Sequence, residues 1–279
     1  MRLRVVSINT QNLEGDPIRQ DLLNKELRRL SPDLVALQEV IEDESRHQLE
    51  TLLAGTDLNG THQAETMQFL PPFVERYGGT AIATRWPHRV VETVDLRILD
   101  AGDVPWATMA AVVEIPGVGE LLLIAATGSW RLDAESARER QAIAITDLDS
   151  RHRRRLPTII AGDLNSSPDS ASIRYLRGLQ SLNGRSVHYH DAWAVAGVGS
   201  GFTWTVDNPN AHAVIDAVVR QPNHQRRIDY ILVGSAHAHP DAYAQIRAAS
   251  LAFTQPQDGV WPSDHYGLCV DLDIDNNAV

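Results

Sequence analysis

The run Leu156-Pro157-Thr158-Ile159-Ile160-Ala161 followed by Gly162-Asp163-Leu164-Asn165-Ser166-Ser167-Pro168 reads as a buried strand feeding a loop. The first part is short, apolar and β-branched, and Gly and Pro bound the second. The loop carries Asp163 and Asn165 two residues apart. At that spacing both side chains point the same way if the backbone stays extended. A carboxylate beside an amide can hold a metal, a water or a phosphate oxygen. The same residues also suit a turn that caps the next helix, so the loop takes its meaning from the rest of the chain.

Upstream, a helix is expected from about Asp133 to Arg151, with Ala134, Ala137, Gln141, Ala142, Ile145 and Leu148 on its inner stripe. It ends in the basic run Arg151–Arg155, read as a solvated helix end that suits the dipole. Strands are expected near Val90–Leu99, Ala107–Ile115 and Glu120–Thr127, the last two joined by Pro116-Gly117-Val118-Gly119 as an antiparallel pair. Gly79–Thr84 is another strand, and residues 55–78 show no clear pattern. At the start, Leu3–Asn9 is a strand. A helix follows from Pro17 with Asp16 as N-cap and Ile18, Leu22, Leu23, Leu27 and Leu30 on one face. Asp33–Val40 is a second strand that carries Glu39 near its end, and a polar helix is expected over Asp43–Leu53. Downstream, a helix near Ser170–Leu182 precedes a Gly-, His-, Asn- and Pro-rich segment, 183–226, read as long surface loops. Its histidines, His188, His190, His212 and His224, lack zinc-site spacing and read as surface residues. Arg226–Val233 is a strand containing Asp229. A carboxylate there costs on the order of a few kcal/mol unless paired, so Asp229 should have a partner. Pro262-Ser263-Asp264-His265-Tyr266 leads into a final strand, Gly267–Leu272.

The bulk numbers permit one large domain. The chain has 279 residues, with 43% hydrophobic and 22% charged residues, an ordinary globular composition. We expect a single domain over 1–275 and a short tail, 276–279. A formal net charge of −11 argues against nonspecific coating of nucleic acid, which needs Lys and Arg to neutralise phosphates. It leaves a nuclease open, because a bound metal supplies local positive charge. The single Cys269 rules out an internal disulfide, and the N-terminal run lacks the apolar core of a signal peptide. With no stretch that approaches a membrane span, the expected location is cytoplasmic.

The polar residues at the expected strand ends are Asn9, Glu39, Asp163, Asn165, Asp229, Asp264 and His265. Hard oxygen ligands with one imidazole suit Mg²⁺ or Mn²⁺ and phosphate chemistry better than zinc. Here the chain resembles the endonuclease/exonuclease/phosphatase superfamily over about residues 3 to 273. Leu37-Gln38-Glu39-Val40 looks like that family's Leu-Gln-Glu. Gly79–Pro87 resembles its Gly-x-Ala-Ile-x-Ser-Arg-x-Pro segment, and Gly162-Asp163-Leu164-Asn165 its Gly-Asp-Phe-Asn. Arg227-Ile228-Asp229-Tyr230 and Ser263-Asp264-His265 match the closing motifs, and all the pieces come in the family's order.

The resemblance implies an α/β fold, a four-layer sandwich of two mixed β-sheets with helices outside. It implies that Glu39 ligates Mg²⁺ or Mn²⁺, with Asn9 and Asp264 in or next to the ligand shell. Asp163 would orient or deprotonate the attacking water, Asn165 would hold a phosphate oxygen, and His265, fixed by Asp229, would bind the scissile phosphate. Thr127, Trp130, Trp204 and Arg227 are further substrate-binding candidates. One departure stands out. Where the family has Thr-His-Leu, this chain reads Ala126-Thr127-Gly128-Ser129-Trp130. The expected function is a metal-dependent phosphoesterase acting on a small-molecule or lipid phosphoester. A nuclease is the alternative, and a relative that only binds ligand is the second alternative, given the absent histidine.

Overall fold

The computed structural model describes residues 1–67, 77–96 and 107–275. Its order is β1 (Arg2–Asn9), α1 (Arg19–Leu30), β2 (Leu34–Val40), α2 (Gln48–Leu53), β3 (Asn59–His62), α3 (Gln63–Thr66), β4 (Gly79–Thr84), β5 (His88–Asp95), β6 (Ala107–Ile115) and β7 (Gly119–Thr127). Then follow α4 (Glu135–His152), β8 (Ile159–Asp163), α5 (Ala171–Leu176), β9 (Tyr189–Asp191), α6 (Ala192–Ala196), β10 (Trp204–Thr205), α7 (Pro209–Val218), β11 (Gln225–Arg226), β12 (Asp229–Gly234), β13 (Tyr243–Ala252) and β14 (Gly267–Asp275).

Two six-stranded mixed sheets form, ordered β13-β14-β1-β2-β4-β3 and β5-β6-β7-β8-β12-β9. Successive residues of a strand face opposite sides, and in the central strands both sides are buried, so these strands read as continuous apolar runs. Val5, Leu34, Ala36 and Val270 of the first sheet meet Ala111, Leu123, Ala161 and Ile231 of the second between the sheets. Outside the first sheet, Val6, Ile8, Val35 and Leu37 pack on Leu23 and Leu27 of α1 and Leu49 and Leu52 of α2. Outside the second, Val112, Leu122, Ile124 and Leu232 pack on Ala142, Ile145 and Leu148 of α4 and Ile173 of α5. Each large side chain so buried contributes roughly 1.5–3 kcal/mol. This is the four-layer α/β sandwich.

Several elements differ from the sequence reading. α1 begins at Arg19, because the Asp16 carboxylate accepts from the Ile18 amide in a turn before the helix, and Ile18 is left exposed. Only Gln48–Leu53 of the helix expected over Asp43–Leu53 forms, since Asp43 caps the Ser45 and Arg46 amides in a turn of its own. α5 stops at Leu176, two residues before Gly178 turns the chain at φ +73°. β8 starts at Ile159 and runs on through Asp163. The segment 183–226 holds α6, α7 and the short strands β9, β10 and β11, and β13 has no counterpart in the sequence reading. The part of the expected strand Val90–Leu99 beyond Leu96 lies outside the described residues. The basic run pairs with acids: Arg151 and His152 with Glu92, Arg153 with Asp149, and Arg154 with Glu120.

The strand alternation places the site. The inward row that is apolar in mid-strand turns polar at one end. Asn9 follows Val5 in β1, Asp163 follows Ala161 in β8, and Asp229 precedes Ile231 in β12. Register brings Asp229 opposite Asp163 on adjacent antiparallel strands. Hydrogen bonds from Asn9 to Asp163 and between Thr80 and Thr127 join the two sheets at this end.

Candidate active site

Asp163 closes β8 just after Gly162, whose φ is +155° and where a Cβ would lie 1.8 Å from the Ala126 carbonyl oxygen. Only glycine lets β7 and β8 pair this closely. Asp163 Oδ2 accepts from Asn9 Nδ2 at 3.1 Å and from Asn165 Nδ2 at 3.2 Å, and Oδ1 accepts from the Asn165 amide at 2.9 Å. Asn165 is not extended. It sits in the left-handed region at φ +52°, which Asn tolerates, and that turn swings its side chain back to Asp163. Its other amide hydrogen goes to the Gly128 carbonyl at 3.1 Å. Both hydrogens are used within the protein, so in this geometry Asn165 orients Asp163 while lining the cleft.

Glu39 lies where β2 slips register against β4, at φ +58°, a costly conformation for a glutamate. Thr10 Oγ1 donates to its carbonyl at 3.0 Å. Asn9 and Asn12 donate to its two carboxylate oxygens at 3.0 and 3.2 Å. Of the two places expected for Asn9, in the ligand shell or next to it, these bonds put it next to the Glu39 carboxylate. Its amide hydrogens bridge Glu39 and Asp163, and its Oδ1 accepts from the Gln11 amide at 2.9 Å.

His265 completes the group. Its Nδ1 donates to Asp229 Oδ2 at 2.9 Å, and its Nε2 lies 3.8 Å from Asp163 Oδ2. Asp229 thus has the partner its burial demanded. Ser263 Oγ donates to the Asn9 carbonyl at 2.6 Å and accepts from the His265 amide at 3.1 Å, which ties the last loop to β1. Arg19, 1% exposed, does the same on a larger scale. Its guanidinium donates to the carbonyls of Thr10, Gln11, Asn12, Glu14 and Pro262.

The electrostatics follow from many acids in a dry site. Burial, helped by the charges of Asp264 and Asp163, pushes the Glu39 carboxyl up to about 8. Burial and the Asp229 charge push Asp163 up to about 7. Burial alone would lower His265, but the carboxylates of Asp229, Asp163 and Asp264 outweigh it and hold the imidazole charged.

A cleft of about 260 Å³ opens over these groups, lined by Asn12, Glu39, Asp163, Asn165, Asp264 and His265 and also by Trp130 and Trp204. Two predicted residues are elsewhere. Thr127 is buried with its hydroxyl 3.1 Å from that of Thr80. Arg227 forms a buried bidentate pair with Asp191 and stacks 4.7 Å over the Tyr230 ring. Its neighbour Arg226, which sequence reasoning passed over, lines the cleft and donates to the Asn165 carbonyl at 2.8 Å. Adjacent arginines point to opposite sides, and the sequence does not say which side is the cleft.

Two acid groupings could hold a metal. Asp163, Asp229 and His265 offer atoms within 4.8 Å of one another. There, however, Nδ1 already donates to Asp229, and Nε2 stands 3.8 Å from Asp163, beyond hydrogen-bond length. The half-buried Glu39 and Asp264 carboxylates line the cleft together, and their mutual repulsion is what a hard divalent cation relieves.

A four-layer sandwich with acids and one imidazole at the strand ends defines a class. Residues 6–265 match the Endonuclease/Exonuclease/phosphatase family, and the chain belongs to it. No curated protein matches the sequence. Among solved structures, D. rerio TDP2 complexed with single strand DNA product is similar at 20% identity and TM-score 0.72, covering 98% of this chain and 99% of that one. A Bacteroides vulgatus endonuclease/exonuclease/phosphatase gives 17% and 0.69 over 99% and 100%. Truncated Caenorhabditis elegans TDP2 gives 17% and 0.69 over 97% of each chain. At these identities the likeness concerns the fold.

Proposed function

We propose that this protein is a divalent-metal-dependent phosphoesterase in which an activated water attacks phosphorus, acting on a small-molecule or lipid phosphoester. The observation that carries the reading is that Asn9 bridges Asp163 to Glu39, while Glu39, Asp163, Asp264 and the Asp229-paired His265 line one cleft. Glu39 and Asp264 would hold Mg²⁺ or Mn²⁺, and the bound cation would polarise a phosphoryl oxygen.

The chain's own groups cover the remaining needs. Asn9 and Asn165 aim the Asp163 carboxylate. Raised to about 7, that carboxylate is matched to taking a proton from water near neutral pH. His265, kept charged by Asp229, presents positive charge to the phosphate. Arg226 adds a second cation at the cleft, in place of the histidine that the Thr127-Gly128 segment lacks.

The test is a phosphomonoester and phosphodiester panel with Mg²⁺, with Mn²⁺ and with EDTA. Turnover should require metal and fall roughly 10²–10⁴-fold in Asp163→Asn, with a comparable loss in His265→Ala. Metal-independent turnover, or full activity in Asp163→Asn, would refute the reading. A nuclease is the second reading, favoured by Trp130 and Trp204 in the cleft, on which bases could stack, and by the TDP2 neighbour complexed with single strand DNA product. Nicking of supercoiled plasmid that disappears in Asp163→Ala would select it.

A further inference from the structure

Asp264 differs from Glu39 and Asp163 in how it is held. Those two carboxylates accept firm bonds from amides at 2.9–3.2 Å. The Asp264 carboxylate has one contact, with Ser263 Oγ at 3.4 Å, and that hydroxyl already gives its only hydrogen to the Asn9 carbonyl at 2.6 Å. The place of Asp264 therefore comes from the backbone on either side of it.

That backbone is tied to the segment leading into α7. Asn208 is fully buried, and its Nδ2 donates to the Ser263 carbonyl at 2.9 Å. A peptide unit is planar, so holding the Ser263 carbonyl also fixes the amide nitrogen of Asp264 and the direction in which its Cα leaves. Beyond Asp264, the Tyr266 amide donates to the Thr203 carbonyl at 2.8 Å. Asn208 is itself rigid. It is the N-cap of α7, with Pro209 following, and its Oδ1 accepts from the Asn210 amide at 3.0 Å. Its own amide donates to the Thr205 carbonyl at 3.1 Å. Asn210 adds weaker ties, to Gln11 Oε1 at 3.2 Å and to the Trp261 carbonyl at 3.4 Å. Gln11 neighbours Asn12, which donates to Glu39. The first turn of α7 thus touches the loops beside both carboxylates assigned to the cation. Capping a helix uses only the side-chain oxygen, and serine does it as well as asparagine. The donor aimed at Ser263 is left over from that task.

We propose that Asn208 is a positioning residue for Asp264: its amide group holds the Ser263–Asp264 peptide so that Asp264 is presented, with Glu39, to one divalent cation. The cation's part in this rests on the metal-dependent reading above. The tether itself belongs to the metal-free chain.

Two substitutions separate the tether from the cap. Asn208→Ser keeps a capping oxygen and loses the donor to Ser263, whereas Asn208→Ala loses both. Calorimetry should show Mn²⁺ binding at least about tenfold more weakly in both variants. Thermal melts should place Asn208→Ala about 2–4 °C below Asn208→Ser, the effect of the cap alone. In the metal-free protein, amide exchange at His265 and Tyr266 should be about fivefold faster in Asn208→Ser, with Ile160 and Ala161 of β8 unchanged. Asn210→Ala, at a half-buried position that tolerates change, should lower Mn²⁺ affinity by less, and His212→Ala, exposed on the same helix, should not lower it. Wild-type Mn²⁺ affinity in Asn208→Ser, or unchanged exchange at His265 and Tyr266, would overturn the inference. So would a loss seen in Asn208→Ala and restored in Asn208→Ser, which would make Asn208 a helix cap only. A wild type that binds no Mn²⁺, with exchange at His265 and Tyr266 still faster in Asn208→Ser, would leave the tether assigned and remove the metal-dependent reading.

Discussion

Glu39 concentrates the tension of the site in one side chain. It takes a left-handed backbone, two amide donors and a neighbouring acid, and its carboxyl titrates at about 8. The folded state therefore favours its protonated form. That contribution to stability is complete below the ordinary value of 4.5 and is lost as pH rises through about 8. The metal-free protein should melt roughly 5–10 °C lower at pH 8 than at pH 5 through this group, and Glu39→Gln should flatten the slope. Mn²⁺ should raise the melting temperature more at pH 8 than at pH 5, because the cation must displace the proton. A metal effect that does not depend on pH would contradict this. His62 supplies the opposite sign. Burial lowers its imidazole to about 4, with Nε2 donating to the Val40 carbonyl and Nδ1 accepting from the Ala64 amide. Its contribution is present above pH 6.5 and is lost as pH falls through about 4. Relative to His62→Gln, the wild type should lose on the order of 3 kcal/mol across that window, read as the difference between the two proteins' thermal melts.

At the scale of elements, the β7–α4 connection explains the absent histidine. A Cβ on Gly128 would lie 2.3 Å from the Leu164 carbonyl oxygen. The Gly128 amide meanwhile donates to the Asp163 carbonyl at 2.8 Å. Here the backbone of the β7 loop touches the backbone of the β8 loop, and a side chain would separate the loops that hold Asp163 and Asn165. Gly128→His should therefore destabilise the fold by about 3 kcal/mol or more and reduce activity. Chemical denaturation of the variant checks this, and a gain in activity would mean that the loop can move aside.

At the scale of the molecule, the cleft exists because two sheets from distant parts of the chain end at the same level. Arg19 fixes the first sheet's side of that cleft: its five bonds to carbonyls reach from Glu14 back to Thr10, after β1, and across to Pro262, before β14. Lysine has one charged nitrogen where arginine has three, so Arg19→Lys should leave buried carbonyls unpaired and cost about 3 kcal/mol. We also expect kcat to fall, because Asn9, Asn12 and Asp264 ride on those segments. Urea melts and steady-state kinetics read the two effects, and a variant with normal stability would show the tie to be dispensable.

The sequence by itself determined the sheets' central strands and the polar residues at their ends, because β-branched apolar runs and strand-end carboxylates are local signals. Asp229 even announced its need for a partner, through the cost of an unpaired buried charge. The small elements in 183–226 and the edge strand β13 were not legible, since two- and three-residue strands and half-exposed edges carry little periodicity. Only the tertiary structure decided that Arg226, not Arg227, faces the cleft. It also assigned Asn9 as a brace for two carboxylates and brought Trp130 and α7 to the same cleft. Those outcomes depend on contacts between residues tens to hundreds of positions apart, and no local pattern encodes which side of a strand or helix meets them.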